Sequence, residues 1–215
     1  TSWLGQIIDS CPDVAFRYQP LFSYAFKDAI APDSTKEQVQ QFLNGIYHSQ
    51  DAFLTRVEQK ADGIYPDFSK NKPEPILAFK NVRYHYLLEK FIKFTPKVKL
   101  LAIIRNPCAV INSFLRNPRE FPEDKDPLQE WRYAKCRNVK SEEYFGFEKW
   151  KEATDLFLTL KEKYPKQVHV ISYEDLVASS INETRKIYQF LNVPIDSQTL
   201  AFLKESQQKH LENPS

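Results

Sequence analysis

The sequence predicts an α/β protein, a single domain whose central parallel β-sheet is flanked by helices. Three observations carry that expectation. Ile76-Leu77-Ala78-Phe79, Val98 to Ile104 and Val168 to Ser172 are short, nearly continuous apolar runs, the pattern of strands buried on both faces. Segments with apolar residues at helical spacing separate the runs. Each run ends at polar residues: Lys80-Asn81, Arg105-Asn106-Pro107 and Tyr173-Glu174-Asp175.

In chain order, a helix is expected from about Ser2 to just before Pro12, with the Thr1 and Ser2 hydroxyls where an N-cap would sit. Asp33-Ser34-Thr35 followed by Glu37 resembles a capping box. It opens one long helix through Val39, Phe42, Leu43, Ile46, Phe53, Leu54 and Val57, ending near Gly63. Asp62 to Pro75, rich in Pro, Asn and Asp, reads as a loop before the first apolar run. Tyr84 to Phe94 reads as a helix, and Cys108 to Leu115 as another with Pro107 in its first turn. Helices are expected at Leu128–Arg137 and Phe147–Tyr164, and, after the last run, through Ile181, Ile187, Tyr188 and Leu191.

Composition bounds the function classes. The 215 residues are 42% apolar and 27% charged, enough apolar content for a core and too much for a disordered chain. No stretch approaches the roughly 18 consecutive apolar residues of a membrane span, and the first residues lack the order of a signal peptide. Thirty Lys plus Arg against 28 Asp plus Glu leave +2, so no bulk field attracts nucleic acid, and any anion site must be local. Cys11, Cys108 and Cys136 are scattered and form no C-x-x-C, against a disulfide scaffold or zinc ribbon. His48, His85, His169 and His210 are equally dispersed, so no metal is expected. The chain has no Met and four Gly where average usage gives roughly fifteen, which suggests that it does not begin at its biological start.

In parallel sheets, ligands bind beyond the carboxyl ends of the strands. Two of the three run ends carry a cation there, Lys80 and Arg105. Arg105 leaves the strongest run, and Ser113 follows eight residues later on the next helix. A guanidinium and a hydroxyl on a strand-to-helix junction can close on one phosphate, helped by amides at the helix start. The alternative is an Arg paired with a carboxylate and an exposed helix Ser.

The run KVKLLAIIRNPCAVINSFLRNPREF resembles the 3′-phosphate-binding segment of the PAPS-dependent sulfotransferases: a buried strand ending in Arg, then Asn or Asp and Pro, with Ser eight residues on. PEPILAFKNVRYHYLLEKFIKFTP and VHVISYEDLVASSINETRKIYQFLNVPID resemble two further family segments, in order, so the likeness covers about residues 75–117 and 167–196. Thr1-Ser2-Trp3-Leu4 resembles the end of the 5′-phosphosulfate loop, a basic residue, Ser-Gly and two hydroxyl residues followed by an aromatic.

The resemblance implies a P-loop-like α/β fold, with residues 1–215 a sulfotransferase domain lacking its first strand and the start of that loop. It implies transfer of a sulfuryl group from PAPS, 3′-phosphoadenosine 5′-phosphosulfate, to a hydroxyl or amine, releasing PAP, with no metal. The acceptor is a small molecule, carbohydrate or lipid. Residues carried over for the nucleotide are Thr1, Ser2, Trp3, Arg105, Ser113 and Tyr173, the last beside the adenine. Lys80 is the candidate cation on the sulfuryl oxygens and His85 the candidate base, with surface Lys and core His the ordinary alternatives; Arg83 is a lesser contact. Glu174 and Asp175 read as structural, and Gln19 stands where carbohydrate sulfotransferases often have a Glu. Two other functions compete: an inactive nucleotide- or partner-binding module of the same fold, and a P-loop kinase. The kinase predicts an Asp after a strand for Mg²⁺, which neither Phe79 nor Ile104 precedes. Scattered cysteines point to the cytoplasm, and the sequon Asn182-Glu183-Thr184 leaves the Golgi lumen open.

Overall fold

The computed structural model describes residues 2–212, with side chains through residue 208. Thr1 lies outside the described residues. The chain divides into two compact units, Thr1–Asn81 with Ser179–Ser215, and Val82–Ala178.

In the first unit, helix α1 (Ser2–Asp9) is followed by strand β1 (Val14–Arg17). The sequence pattern had no strand there: the expected helix stops before Pro12, and Val14-Ala15-Phe16, behind Asp13, is an apolar run of only three residues. All three residues are buried, which is what a parallel pairing demands of so short a strand. Its partner is β2 (Ile76–Phe79), in parallel register from Val14 opposite Ile76 to Arg17 opposite Phe79.

The single helix expected from Thr35 to Gly63 is three: α2 (Lys36–His48), α3 (Ala52–Thr55) and α4 (Val57–Ala61). The capping box is present, but with Gln38, not Glu37, returning a side-chain bond to the Thr35 backbone. The break after His48 comes from polar side chains that compete with the helical ladder. Ser49 Oγ accepts from Asp51 N at 3.2 Å, and Asp51 Oδ1 accepts from Leu54 N at 3.0 Å, capping a new helix. Arg56, with φ 60°, then separates α3 from α4. Arg17 closes α2, donating from Nε to Ile46 O at 2.7 Å, a cation at a helix carboxyl end.

Helices α10 (Ser180–Leu191) and α11 (Ser197–Glu212) complete this unit, the latter not anticipated from the sequence. Both tie to α1 through buried polar contacts: Ser10 Oγ donates to Ile7 O at 2.6 Å and to Thr199 Oγ1 at 2.9 Å, and Tyr188 donates to Ile7 O at 2.9 Å. Buried Asp9 pairs with Lys70 at 2.8 Å, and the same ammonium donates to the Asp9, Cys11 and Val14 carbonyls, fixing the α1–β1 turn. Thr184, the sequon's last residue, is fully buried on α10.

In the second unit, Tyr84 (φ 60°) precedes a short 3₁₀ turn, His85–Leu87, and α5 (Leu88–Phe94). Strand β3 (Leu100–Ile104) leads into α6 (Pro107–Leu115), and α7 (Pro127–Glu130) is much shorter than the Leu128–Arg137 helix expected. Ala134, at φ 46°, leaves the helical region inside that span. Helix α8 (Gly146–Lys163), strand β4 (Val168–Ser172) and α9 (Tyr173–Ala178) follow. β3 and β4 are parallel, Leu100 opposite Val168 through Ile104 opposite Ser172. Leu88, Ile92, Leu160 and Val168 form a core that joins α5, α8 and β4. The parallel strands expected at Ile76–Phe79, near Val98–Ile104 and at Val168–Ser172 are thus present, in two two-stranded sheets among the described residues.

Gly146 begins α8 at φ 79°, and a Cβ there would stand 2.9 Å from Arg132 O and 3.1 Å from Ala134 Cβ. Backbone strain of about 1–2 kcal/mol adds to that overlap. Gly146→Ala should therefore lower the unfolding midpoint in thermal and urea melts; an unchanged midpoint would disprove the close approach.

Candidate functional site

Parallel pairing places the residues that follow paired strand ends side by side. In the first unit, Arg17 lies opposite Phe79, so Tyr18 and Lys80 leave the sheet together. The Lys80 ammonium lies 5.0 Å from the Tyr18 ring centroid and donates to Ser2 Oγ, the first residue of α1, at 3.0 Å. Lys80 is 9% exposed. Burial, joined by the charge of Arg56, pushes its ammonium down to about 8, so it stays mostly charged at neutral pH but loses its charge within reach of it. Gly5 gives the Phe16 ring room: a Cβ on Gly5 would sit 3.0 Å from that ring, and at an ordinary contact distance of 3.9 Å from Lys80 Cδ. Trp3 is half-buried in the first turn of α1.

The second unit repeats the arrangement. Ile104 lies opposite Ser172, and the next residues, Arg105 and Tyr173, meet with the guanidinium carbon 4.6 Å from the ring centroid. Arg105 is exposed, while its carbonyl accepts from Trp150 Nε1 at 3.0 Å, a contact no sequence pattern announced. A pocket of about 280 Å³ at these strand ends is lined by Arg105, Asn106, Trp150, Ser172 and Glu174, with β3 and β4 side chains.

The amides at the start of α6 are not open to an anion, contrary to the expectation from sequence. Asn106 Oδ1 accepts from Cys108 N at 2.9 Å and Ala109 N at 3.4 Å, and Pro107 has no N–H. Asn106 N itself donates to Glu174 Oε1 at 2.9 Å, and that bond leads in holding the Glu174 carboxyl below its ordinary range. Glu174 thus braces the β3–α6 turn. Ser113 is exposed two turns along α6, and its hydroxyl has no hydrogen-bond partner among the described residues.

His85 sits in an aromatic cluster, its ring centroid 4.3 Å from that of Tyr144 and 5.3 Å from that of Phe157. Its Nδ1 is buried without a hydrogen-bond partner. Burial pushes the imidazole down to about 4, so it is neutral at physiological pH. Nearby, Arg83 pairs with the buried Glu143 at 2.9 Å, and burial raises the Glu143 carboxyl.

The structure thus brings Ser2 and Lys80 together, and Arg105 and Tyr173 together. No group of His, Cys, Asp and Glu that could hold a metal occurs among the described residues. No helix among them is long and apolar enough to cross a membrane.

The His85 shift makes a stability prediction. A native pKa near 4 against an ordinary 6.5 means that the unfolded chain takes up a proton first as pH falls. The contribution is intact above pH 6.5 and is lost on acidification toward pH 4, on the order of 2–3 kcal/mol. Urea melts of His85→Phe against the parent protein should show a shallower loss in that window; parallel curves would disprove the buried, neutral ring.

Comparison with known proteins now adds to this geometry. Residues 1–197 match the model of the sulfotransferase family. No curated protein matches the sequence. Among solved structures, mouse sulfotransferase SULT7A1 complexed with PAP is similar with a TM-score of 0.53 and 16% identity, over 100% of this chain and 62% of that one. The sulfotransferase domain from the curacin biosynthetic pathway is similar with a TM-score of 0.54 and 17% identity, over 93% of this chain and 72% of that one. The chain therefore spans less than two thirds of the mouse protein's length. The family match covers all four strands and both cation–ring pairs, and the α/β architecture is the P-loop-like fold of its structural neighbours: the chain belongs to the sulfotransferase family.

Proposed function

We propose that the protein transfers the sulfuryl group of PAPS to a hydroxyl or amine of a small-molecule, carbohydrate or lipid acceptor and releases PAP. The observation that carries this reading is the pairing of a cation with an aromatic ring at the end of each parallel strand pair, Lys80 with Tyr18 and Arg105 with Tyr173. Arg105 and the Ser113 hydroxyl are assigned to the 3′-phosphate, with Tyr173 offering a ring face to the base. Thr1, Ser2 and Trp3 are assigned to the phosphosulfate end. Lys80 is assigned to the sulfuryl oxygens.

In the reaction a lone pair of the acceptor oxygen or nitrogen forms a bond to sulfur. The bond from sulfur to the bridging oxygen breaks, and its electrons remain on the 5′-phosphate of PAP. The acceptor proton passes to a base. Charge grows on the bridging oxygen and spreads over the sulfuryl oxygens, so a preorganised cation there lowers the barrier. His85 is the proposed base: its ring is neutral at physiological pH and its Nδ1 carries no hydrogen bond, while the burial that depresses it to about 4 also makes it a weaker proton acceptor than an ordinary imidazole. The scheme calls for no metal and no nucleic acid. We place the protein in the cytoplasm: its three cysteines are free and the sequon threonine is buried.

Calorimetry with PAP tests the nucleotide assignment. Arg105→Ala should weaken PAP binding about 10- to 100-fold, the worth of a bidentate charged contact; equally tight binding by the variant would remove Arg105 from the site. Labelled PAPS with a panel of sugars, lipids and phenols tests turnover. Binding of PAP without transfer to any acceptor would leave a nucleotide-binding module. His85→Phe should abolish transfer while leaving PAP affinity intact; a fully active variant would make His85 a packing residue alone.

A further inference from the structure

We propose that Arg56 is a second cation of the sulfuryl-binding corner, acting with Lys80 on the transferring group. This rests on the sulfotransferase reading above and adds a residue that neither the sequence motifs nor the family likeness singles out.

Arg56 is placed by the backbone. It sits at φ 60° between α3 and α4, its N–H bonded to Ala52 O at 3.0 Å. A non-glycine residue in that region is uncommon and costs stability, and such strain collects at functional positions. The conformation brings the Arg56 guanidinium carbon 4.3 Å from the centroid of the Tyr18 ring, the same ring that faces the Lys80 ammonium at 5.0 Å. Two cations therefore share one aromatic ring, and one of them already holds Ser2 at the start of α1.

No carboxylate pairs with Arg56 or Lys80 among the described residues, and Arg56 Nε is buried without a hydrogen-bond partner. The groups facing the pair are Ser2 from α1, Tyr18 after β1, and Tyr65, whose buried phenol is pushed well above its ordinary range and stays neutral. Asp9, which also acts on Tyr65, is engaged by Lys70 at 2.8 Å. Arg56 adds to the burial that depresses the Lys80 ammonium, as expected of two cations set 4.3 and 5.0 Å from one ring. Two like charges held together without a counter-ion repel, and a bound anion relieves that repulsion. A sulfuryl group in a loose transition state, with charge on three equatorial oxygens, suits one point charge and one planar fork.

The test compares PAPS with PAP, which lacks the sulfuryl oxygens, on the full chain, Arg56→Gln and Arg56→Lys. Arg56→Gln should weaken PAPS binding and lower kcat/KM about 10- to 100-fold, with PAP affinity changed less than about threefold. Arg56→Lys, which keeps the charge, should recover part of the loss. Removal of the neighbouring charge should also move the basic limb of the pH profile, near 8 in the parent protein, to higher pH, because Lys80 then holds its proton longer. A merely structural role for Arg56 would lower PAP and PAPS binding alike, which would overturn the proposal, as would unchanged kinetics. Failure of the parent protein to bind PAP or PAPS would instead overturn the sulfotransferase reading, and this inference with it. Thermal melts of both variants identify a folding defect, in which case Arg56→Lys decides by its PAPS affinity set against its PAP affinity: a selective loss of PAPS supports the role, and an equal loss of both overturns it.

Discussion

In each unit two parallel strands end level with one another, and the rest of the candidate chemistry depends on that register. Arg17 opposite Phe79 and Ile104 opposite Ser172 are backbone facts, set by hydrogen bonding and by burial of both strand faces. A slip of one residue would turn each strand's side chains to the opposite face and separate Tyr18 from Lys80 and Arg105 from Tyr173. Strands this short have little to hold them in register alone. In the first unit, Lys70 secures the α1–β1 turn through three carbonyls and Asp9, and Arg17 anchors β1 to the end of α2. In the second, the Glu174 carboxylate crosses from the end of β4 to Asn106 after β3.

The two cation–ring pairs differ in setting. Arg105 is exposed and carries a guanidinium, a planar fork of paired donors. Lys80 is nearly buried, and its charge is held at the expense of solvation, with an aromatic face and one hydroxyl as its only described partners. A buried ammonium of this kind interacts strongly with whatever anion arrives, because little water competes, and responds to pH for the same reason. The arrangement suits the desolvated Lys80 to a group whose charge changes during reaction and the exposed fork of Arg105 to paired contacts with a fixed anion.

Much of this was legible in residue order. Continuous apolar runs identified β2, β3 and β4, because strands buried on both faces leave a signature without alternation. Lys80, Arg105 and Tyr173 were legible as candidates because they follow those runs. The strand at Val14–Arg17 was not, since three apolar residues behind Pro12 and Asp13 make too short a run to stand out as a strand. Nor was the break after His48, which depends on Ser49 and Asp51 capping a new helix, or the αL conformation of Arg56. The anion-ready amides expected at α6 were overridden by Asn106, a residue that the sequence shows but whose side-chain direction it does not.

By itself, then, the sequence determined the α/β class, the ends of the three apolar runs and which cations stand there, because burial on both faces and polar termination are local properties of composition. Tertiary structure alone decided which ring each cation faces, that Lys80 is desolvated while Arg105 is not, that His85 lies neutral among Tyr144 and Phe157, and that Arg56 joins Lys80 over Tyr18. Those are matters of packing between segments distant in the chain. Distance and dielectric, which set the strength of every charge in the site, have no expression in residue order.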